Sequence, residues 1–134
     1  MNRAYLAGPM HGLPDAACVP WRNRAKQLLA VHGIEVHDPM SSDYRGREDD
    51  HAEEIVEQDK DAISQCSVLL VNAHLPSWGT AMEVFYAASI GIDVVAFSGA
   101  PSVSPWLRHH TTAVFGTLEE AVDGLATGSV KGMR

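Results

Sequence analysis

Glu83 stands in the stretch Ala81-Met82-Glu83-Val84-Phe85-Tyr86-Ala87-Ala88, an acidic residue among neighbours that are almost all apolar or small. A carboxylate one turn into a helix that packs on a sheet is costly to bury without a partner or a task. The stretch follows the apolar run Val68-Leu69-Leu70-Val71 and the turn Pro76-Ser77-Trp78-Gly79. Glu83 therefore lies just past the carboxyl end of a predicted strand, where open α/β sheets bind ligands. Asp59 belongs to an acidic run with Glu53, Glu54, Glu57 and Asp61, and such a run ordinarily faces water. Ile63, one turn later on the same stripe, instead turns Asp59 towards the sheet. Two carboxylates at one site raise the proton affinity of one of them, which suits acid–base chemistry. Glu83 reads as the reactive group and Asp59 as its acid/base partner.

Three further segments fall at carboxyl ends of predicted strands: Tyr5-Leu6-Ala7-Gly8-Pro9-Met10-His11-Gly12, then Pro76 to Thr80, and Ser98 to Arg108 with Ser104 inside it. In a doubly wound sheet such ends converge on one crevice. Gly8, Gly12 and Gly79 let backbone approach a ligand closely. Ser77 and Thr80 are either helix caps or ligand hydroxyls, and the two roles are compatible, since both rest on free donors at a helix start. Arg45, Arg47, Arg108 and His109 are either solvated cations or positive charge around a phosphate. Trp78 and Trp106 either flank a base or belong to a core or interface.

The elements that must position these groups alternate regularly. Arg3–Ala7 reads as a buried strand. Asp15–His32 carries apolar residues at steps of three and four and is closed by Gly33. Ile34–His37 is a second strand, and Pro39–Asp50 is a polar loop that could serve as a lid. His51–Gln65 is helical, Ser67–Asn72 a uniformly apolar strand, and Thr80–Ile90 a helix closed by Gly91. Asp93–Phe97 is a strand, Trp106–His109 a short turn, Ala113–Phe115 a strand, and Leu118–Leu125 a helix. The pattern predicts an α/β fold, a doubly wound five-stranded parallel sheet of Rossmann or flavodoxin-like type with helices on both faces. Residues 1–125 are expected to form a single domain, and the Gly-containing residues 126–134 a flexible tail.

Composition narrows the function. The chain has 134 residues, 46% of them hydrophobic, and a formal net charge of −7, which suits one globular domain and argues against binding polymeric nucleic acid. One phosphate on a small ligand remains compatible with that charge, because backbone N–H groups and hydroxyls can hold it. No apolar run approaches the roughly 20 residues that span a bilayer, and no secretory leader is recognisable, so a cytoplasmic protein without membrane contact is expected. Cys18 and Cys66 sit in apolar contexts and read as buried reduced thiols. The seven histidines form no metal-binding spacing, and neither a GxGxxG nor a GxxxxGK[ST] motif is present, so neither metal nor organic cofactor is expected.

The set Tyr5-Leu6-Ala7-Gly8-Pro9, Glu57-Gln58-Asp59 and Pro76-Ser77-x-Gly79-x-x-x-Glu83, followed by an Ala-rich helix, resembles the nucleoside 2-deoxyribosyltransferase superfamily. Within it the likeness is greatest to the 2′-deoxynucleoside 5′-monophosphate N-hydrolases, and it runs from the first strand to about Arg108. The resemblance implies that Glu83 attacks C1′ of the sugar, that Tyr5 orients Glu83, and that Asp59 protonates the departing base. It implies a nucleotide-binding loop around Gly8, Met10, His11 and Gly12, and phosphate binding by Ser77, where the nucleoside transferases have an aspartate. Ser104 resembles a second phosphate-contacting serine, lent to the neighbouring subunit's site, so a homodimer or dimer-based oligomer with shared active sites is implied. His11 departs from the arginine of the hydrolases.

The reading is an N-glycosidase that cleaves the base–sugar bond of a (2′-deoxy)nucleoside 5′-monophosphate through a covalent glycosyl-Glu83 intermediate. A transferase that exchanges bases on deoxynucleosides would use the same intermediate. A nucleotide-sensing module without turnover is the alternative of another class, and the intact set Tyr5, Asp59 and Glu83 speaks against it.

Overall fold

A computed structural model describes residues 2–42, 44 and 46–128. The strands are β1 (Arg3–Ala7), β2 (Glu35–His37), β3 (Val68–Asn72), β4 (Asp93–Phe97) and β5 (Ala113–Phe115). The helices are α1 (Asp15–Val31), α2 (Ala52–Ser64), α3 (Trp78–Ser89), α4 (Pro105–His110) and α5 (Leu118–Ala126). All five strands are parallel, in the order β2-β1-β3-β4-β5. Chain progression reverses direction between β1 and β3, and that reversal places a crevice at their carboxyl ends.

Strand alternation divides the core into two layers. Ala4 and Leu6 of β1 face the layer of α1 and α5, with Ala25, Leu29, Leu70, Ala121 and Leu125. Tyr5 and Ala7 face the opposite layer, with Ile63 of α2 and Val84 and Ala87 of α3. Both faces of β3 are thus covered, which explains why its residues are uniformly apolar up to Asn72. Register pairs Tyr5 with Leu69, so the one large polar side chain of β1 beyond Arg3 points into the layer that holds Asp59 and Glu83.

Several boundaries differ from those expected, each for a local reason. α3 begins at Trp78 rather than Thr80, because Ser77 caps it through the Thr80 amide. The expected turn after Pro105 is a short helix with proline in its first turn and Ser104 as its cap. The polar loop 39–50 contains two 3-10 turns, Pro39–Ser41 and Glu48–Asp50, the first capped by Asp38. α5 runs on to Ala126. Of the tail expected at 126–134, residues 129–134 lie outside the described residues, as does Arg45. Among the described residues no helix is long and apolar enough to cross a membrane. Cys18 and Cys66 are free and buried.

Candidate active site

A cavity of about 440 Å³ opens at the carboxyl ends of β1 and β3. Its lining includes Gly8, Met10 and His11 from the β1–α1 loop, Asp59 and Ile63 from α2, and Ser77, Gly79, Thr80 and Glu83 around the start of α3. Three elements meet at its chemical centre. Tyr5 of β1 is fully buried and its hydroxyl donates to Glu83 Oε2 at 2.5 Å. The Tyr5 ring stacks on His37 at 5.4 Å, which fixes the phenol from the other side. Asp59 lies close enough to act electrostatically on both Tyr5 and Glu83.

Burial is the largest influence on all three groups. It pushes the Glu83 carboxyl up to about 8; Asp59 pushes in the same direction, while the Tyr5 hydrogen bond and Arg22 oppose it. Burial also raises Asp59 above its ordinary value, against the Tyr5 hydroxyl. The phenol of Tyr5 is driven far above its usual range by burial and then by the two carboxylates, so it stays protonated and remains a donor. The trio thus holds a carboxyl that accepts from a locked phenol, beside a second carboxyl that competes for the same proton. Such a pair titrates as a unit and can present one anion and one acid together.

The start of α3 forms the other end of the cavity. Ser77 Oγ accepts from the Thr80 amide at 3.5 Å, which leaves its hydroxyl hydrogen available to donate. The Trp78 and Gly79 amides have no acceptor within the helix, as at any helix start. The Thr80 hydroxyl is buried without a partner among the described residues. No acidic residue occupies the first turn. Gly8 also lines the cavity, and a Cβ there would lie 2.7 Å from the Trp21 ring, so glycine is the residue that fits against that ring.

Other expected residues fall elsewhere. Gly12 does not line the cavity; its φ of +74° makes the turn that starts the approach to α1. Ser104 lines a separate cavity of about 710 Å³ on the far side of Ser77 and Thr80, and it caps α4 through the Trp106 amide at 3.2 Å. Trp78 and Trp106 are 84% and 75% exposed and do not line this cavity, so neither lies in the core or against its wall. His11 lines the cavity but its Nδ1 lies 3.0 Å from Glu48, which competes with any ligand for it. Arg47 lies over the Tyr44 ring.

Sequence reasoning overlooked four groups. Tyr44, Glu48 and Lys60 line the cavity, with the Lys60 ammonium over the Tyr86 ring at 5.2 Å. Nothing in the polar run around Tyr44 and Glu48 marks them, because only the fold of the loop over the site gives them a direction. Arg22 is 1% exposed beneath the site. Its signal was present: Cys18, Arg22, Ala25 and Leu29 are the buried residues of α1, at steps of four, three and four. Among the described residues no cluster of three or more His, Cys, Asp or Glu side chains is placed to hold a metal ion.

The fold is similar to that of several solved structures. A 2-deoxyribosyltransferase from Bacillus psychrosaccharolyticus is 17% identical, with a TM-score of 0.72 and 90% of each chain covered. Clostridium botulinum CMP N-glycosidase BcmB is 16% identical, with a TM-score of 0.62 over 92% of this chain and 98% of that one. A 2-desoxiribosyltransferase from Leishmania mexicana is 25% identical, with a TM-score of 0.61 over 75% of this chain and 66% of that one. No curated protein sequence matches the chain. Residues 4–121 match the sequence profile of nucleoside 2-deoxyribosyltransferases, and the chain belongs to that family of glycosyl-handling enzymes.

Proposed function

We propose that this protein is an N-glycosidase that removes the base from a (2′-deoxy)nucleoside 5′-monophosphate. The observation that carries the reading is the Tyr5–Glu83 hydrogen bond of 2.5 Å at a cavity whose other end is a capped helix start without acidic residues. In the reaction, Glu83 in its ionised form attacks C1′ through an oxocarbenium-like transition state and forms a glycosyl ester, as the N-glycosidic bond breaks. Asp59 gives its proton to the departing base. Water then attacks C1′, the ester bond breaks, and Glu83 is released as the carboxylate; Asp59 takes the proton from that water. Tyr5 keeps one Glu83 oxygen occupied and leaves the other to face the sugar.

The phosphate reading rests on Ser77 and the α3 N-terminus. A hydroxyl, two helix amides and the positive end of the helix dipole favour an anion there. An aspartate at position 77 would repel it. Exchange of bases on unphosphorylated deoxynucleosides is the second reading, favoured by the same Tyr5, Asp59 and Glu83 set, since only the second nucleophile differs. In the proposed assembly Ser104 serves the site of a second copy; within one chain it lines the adjoining cavity.

Incubation of the protein with dCMP, dGMP, CMP and the matching unphosphorylated nucleosides, with and without a second free base, tests the proposal. Release of free base and sugar 5-phosphate from monophosphates alone is the expected result. Base exchange on unphosphorylated substrates without cleavage of monophosphates overturns it in favour of the transferase. Binding without any turnover leaves the sensing module.

A further inference from the structure

Arg22 is fully buried, alone among the cations of the described residues, and the reaction above gives it no part. Its guanidinium joins three segments. Nη1 donates to the Leu6 carbonyl at 2.9 Å and to Asp38 Oδ1 at 3.0 Å, and Nη2 donates to the Gly8 carbonyl at 3.1 Å. Leu6 and Gly8 bracket the end of β1, and Gly8 is cavity wall. Asp38 follows β2 and caps the 3-10 turn of Pro39–Ser41 through the Met40 amide at 3.0 Å; Pro39 and Ser42 are the facing wall. Lys26, also on α1, reaches the other Asp38 oxygen at 2.8 Å. Trp21 packs on Gly8 and under the Arg22 guanidinium, 4.8 Å from its ring centroid.

We propose that Arg22 is a positioning residue for the reaction proposed above: held by Asp38, it pins the Gly8 loop and the Pro39–Ser42 segment to the strand that carries Tyr5, so that both walls of the cavity keep one spacing. The inference rests on that functional reading for its kinetic consequence, but the pin itself is a property of the protein without substrate. A core role alone would need neither a charge nor a fork of donors, and a methionine would fill the volume. The planar fork is what reaches two carbonyls and a carboxylate at once; a lysine keeps the charge and cannot make all three bonds. The charge has a second consequence. Arg22 acts on Glu83, alongside Tyr5 from β1 and Asp59 from α2, and its own charge is paired with Asp38.

Arg22→Lys, Arg22→Met and Asp38→Asn separate the clamp from the charge. Titration of the Glu83 carboxyl carbon by NMR, on protein without substrate, is expected to move to higher pH in Arg22→Met, to lower pH in Asp38→Asn, and to stay near wild type in Arg22→Lys. Hydrogen exchange of the Met40 amide is expected to accelerate in Arg22→Lys. With a monophosphate substrate, Arg22→Lys is expected to raise KM about tenfold with kcat within about twofold, because a displaced wall loses contacts that bind substrate and transition state alike. Folded Arg22→Lys with unchanged Met40 exchange and unchanged KM overturns the proposal. If Arg22→Met does not fold, the other two variants decide. If the wild type turns over no nucleotide, the functional reading fails while titration and exchange still decide the role of Arg22.

Discussion

At the scale of the residue, Glu83 is where stability and chemistry conflict. Burial raises its carboxyl to about 8 from an ordinary value of 4.5. The folded state therefore binds a proton that the unfolded chain has released over that interval. Stability contributed by the protonated form is complete below the unfolded value and is lost as pH rises towards about 8. Glu83→Gln removes that dependence. Thermal unfolding is expected to show the variant as stable as wild type at pH 5 and more stable at pH 9, by a few kcal/mol, while turnover is abolished. Equal stability of the two at pH 9 would mean that the carboxyl is not held from water. The same proton shapes the rate. In the proposed reaction the pair Glu83 and Asp59 is competent with one proton between them, so kcat/KM is expected to be bell-shaped and to fall as pH rises through about 8. Asp59→Asn cannot shuttle the proton, and a loss of about 10²–10⁴-fold in kcat is expected for substrates whose base leaves poorly.

At the scale of the element, α3 supplies both ends of the site. In the proposed function its capped start meets the phosphate, and Glu83, one turn and a half further, meets the sugar. A helix is rigid over that distance, so in that proposal phosphate and nucleophile would be held in fixed relation, and binding energy gained at one end would orient the other. Ser77→Asp tests this division. Aspartate caps a helix as well as serine, so thermal stability is expected to stay within about 0.5 kcal/mol. The KM for monophosphates is expected to rise at least tenfold, by about the few kcal/mol that close like charges cost near a surface, and the unphosphorylated nucleosides to gain relative to them. Unchanged KM for monophosphates would place the phosphate elsewhere.

At the scale of the whole molecule, one chain leaves a large apolar surface uncovered. Trp78, Met82 and Phe85 of α3 and Trp106 of α4 are 84%, 66%, 57% and 75% exposed. His110 joins the two helices, with its ring against both Phe85 and Trp106. An apolar patch of this kind marks an interaction site, and it borders the cavity that Ser104 lines. In the proposed dimer, two defective subunits complement each other. Glu83→Ala lacks the nucleophile but keeps its Ser104, and Ser104→Ala the reverse, so mixed dimers contain one complete site. Re-association of the two variants is expected to restore activity that neither has alone; additive residual rates after mixing would exclude the shared site.

The sequence determined the order of strands and helices and the apolar core, because periodicity of two or of three and four is a local property that packing then obeys. It also marked Glu83, since an acid among apolar neighbours is visible without coordinates, and Asp59 through the stripe that carries it, while Tyr5 was marked by the family resemblance. Boundaries shifted by a residue or two wherever a cap such as Ser77 or a proline such as Pro105 decided them. The tertiary structure supplied the Tyr5–Glu83 hydrogen bond that the resemblance implied, and it alone decided that Gly12 and Ser104 lie off the cavity of their own chain and that Arg22 ties Leu6, Gly8 and Asp38 together. Those relations depend on how the helices and the connections between strands and helices pack at one end of the sheet. No local pattern encodes that packing, because it is set by contacts between residues far apart in the chain.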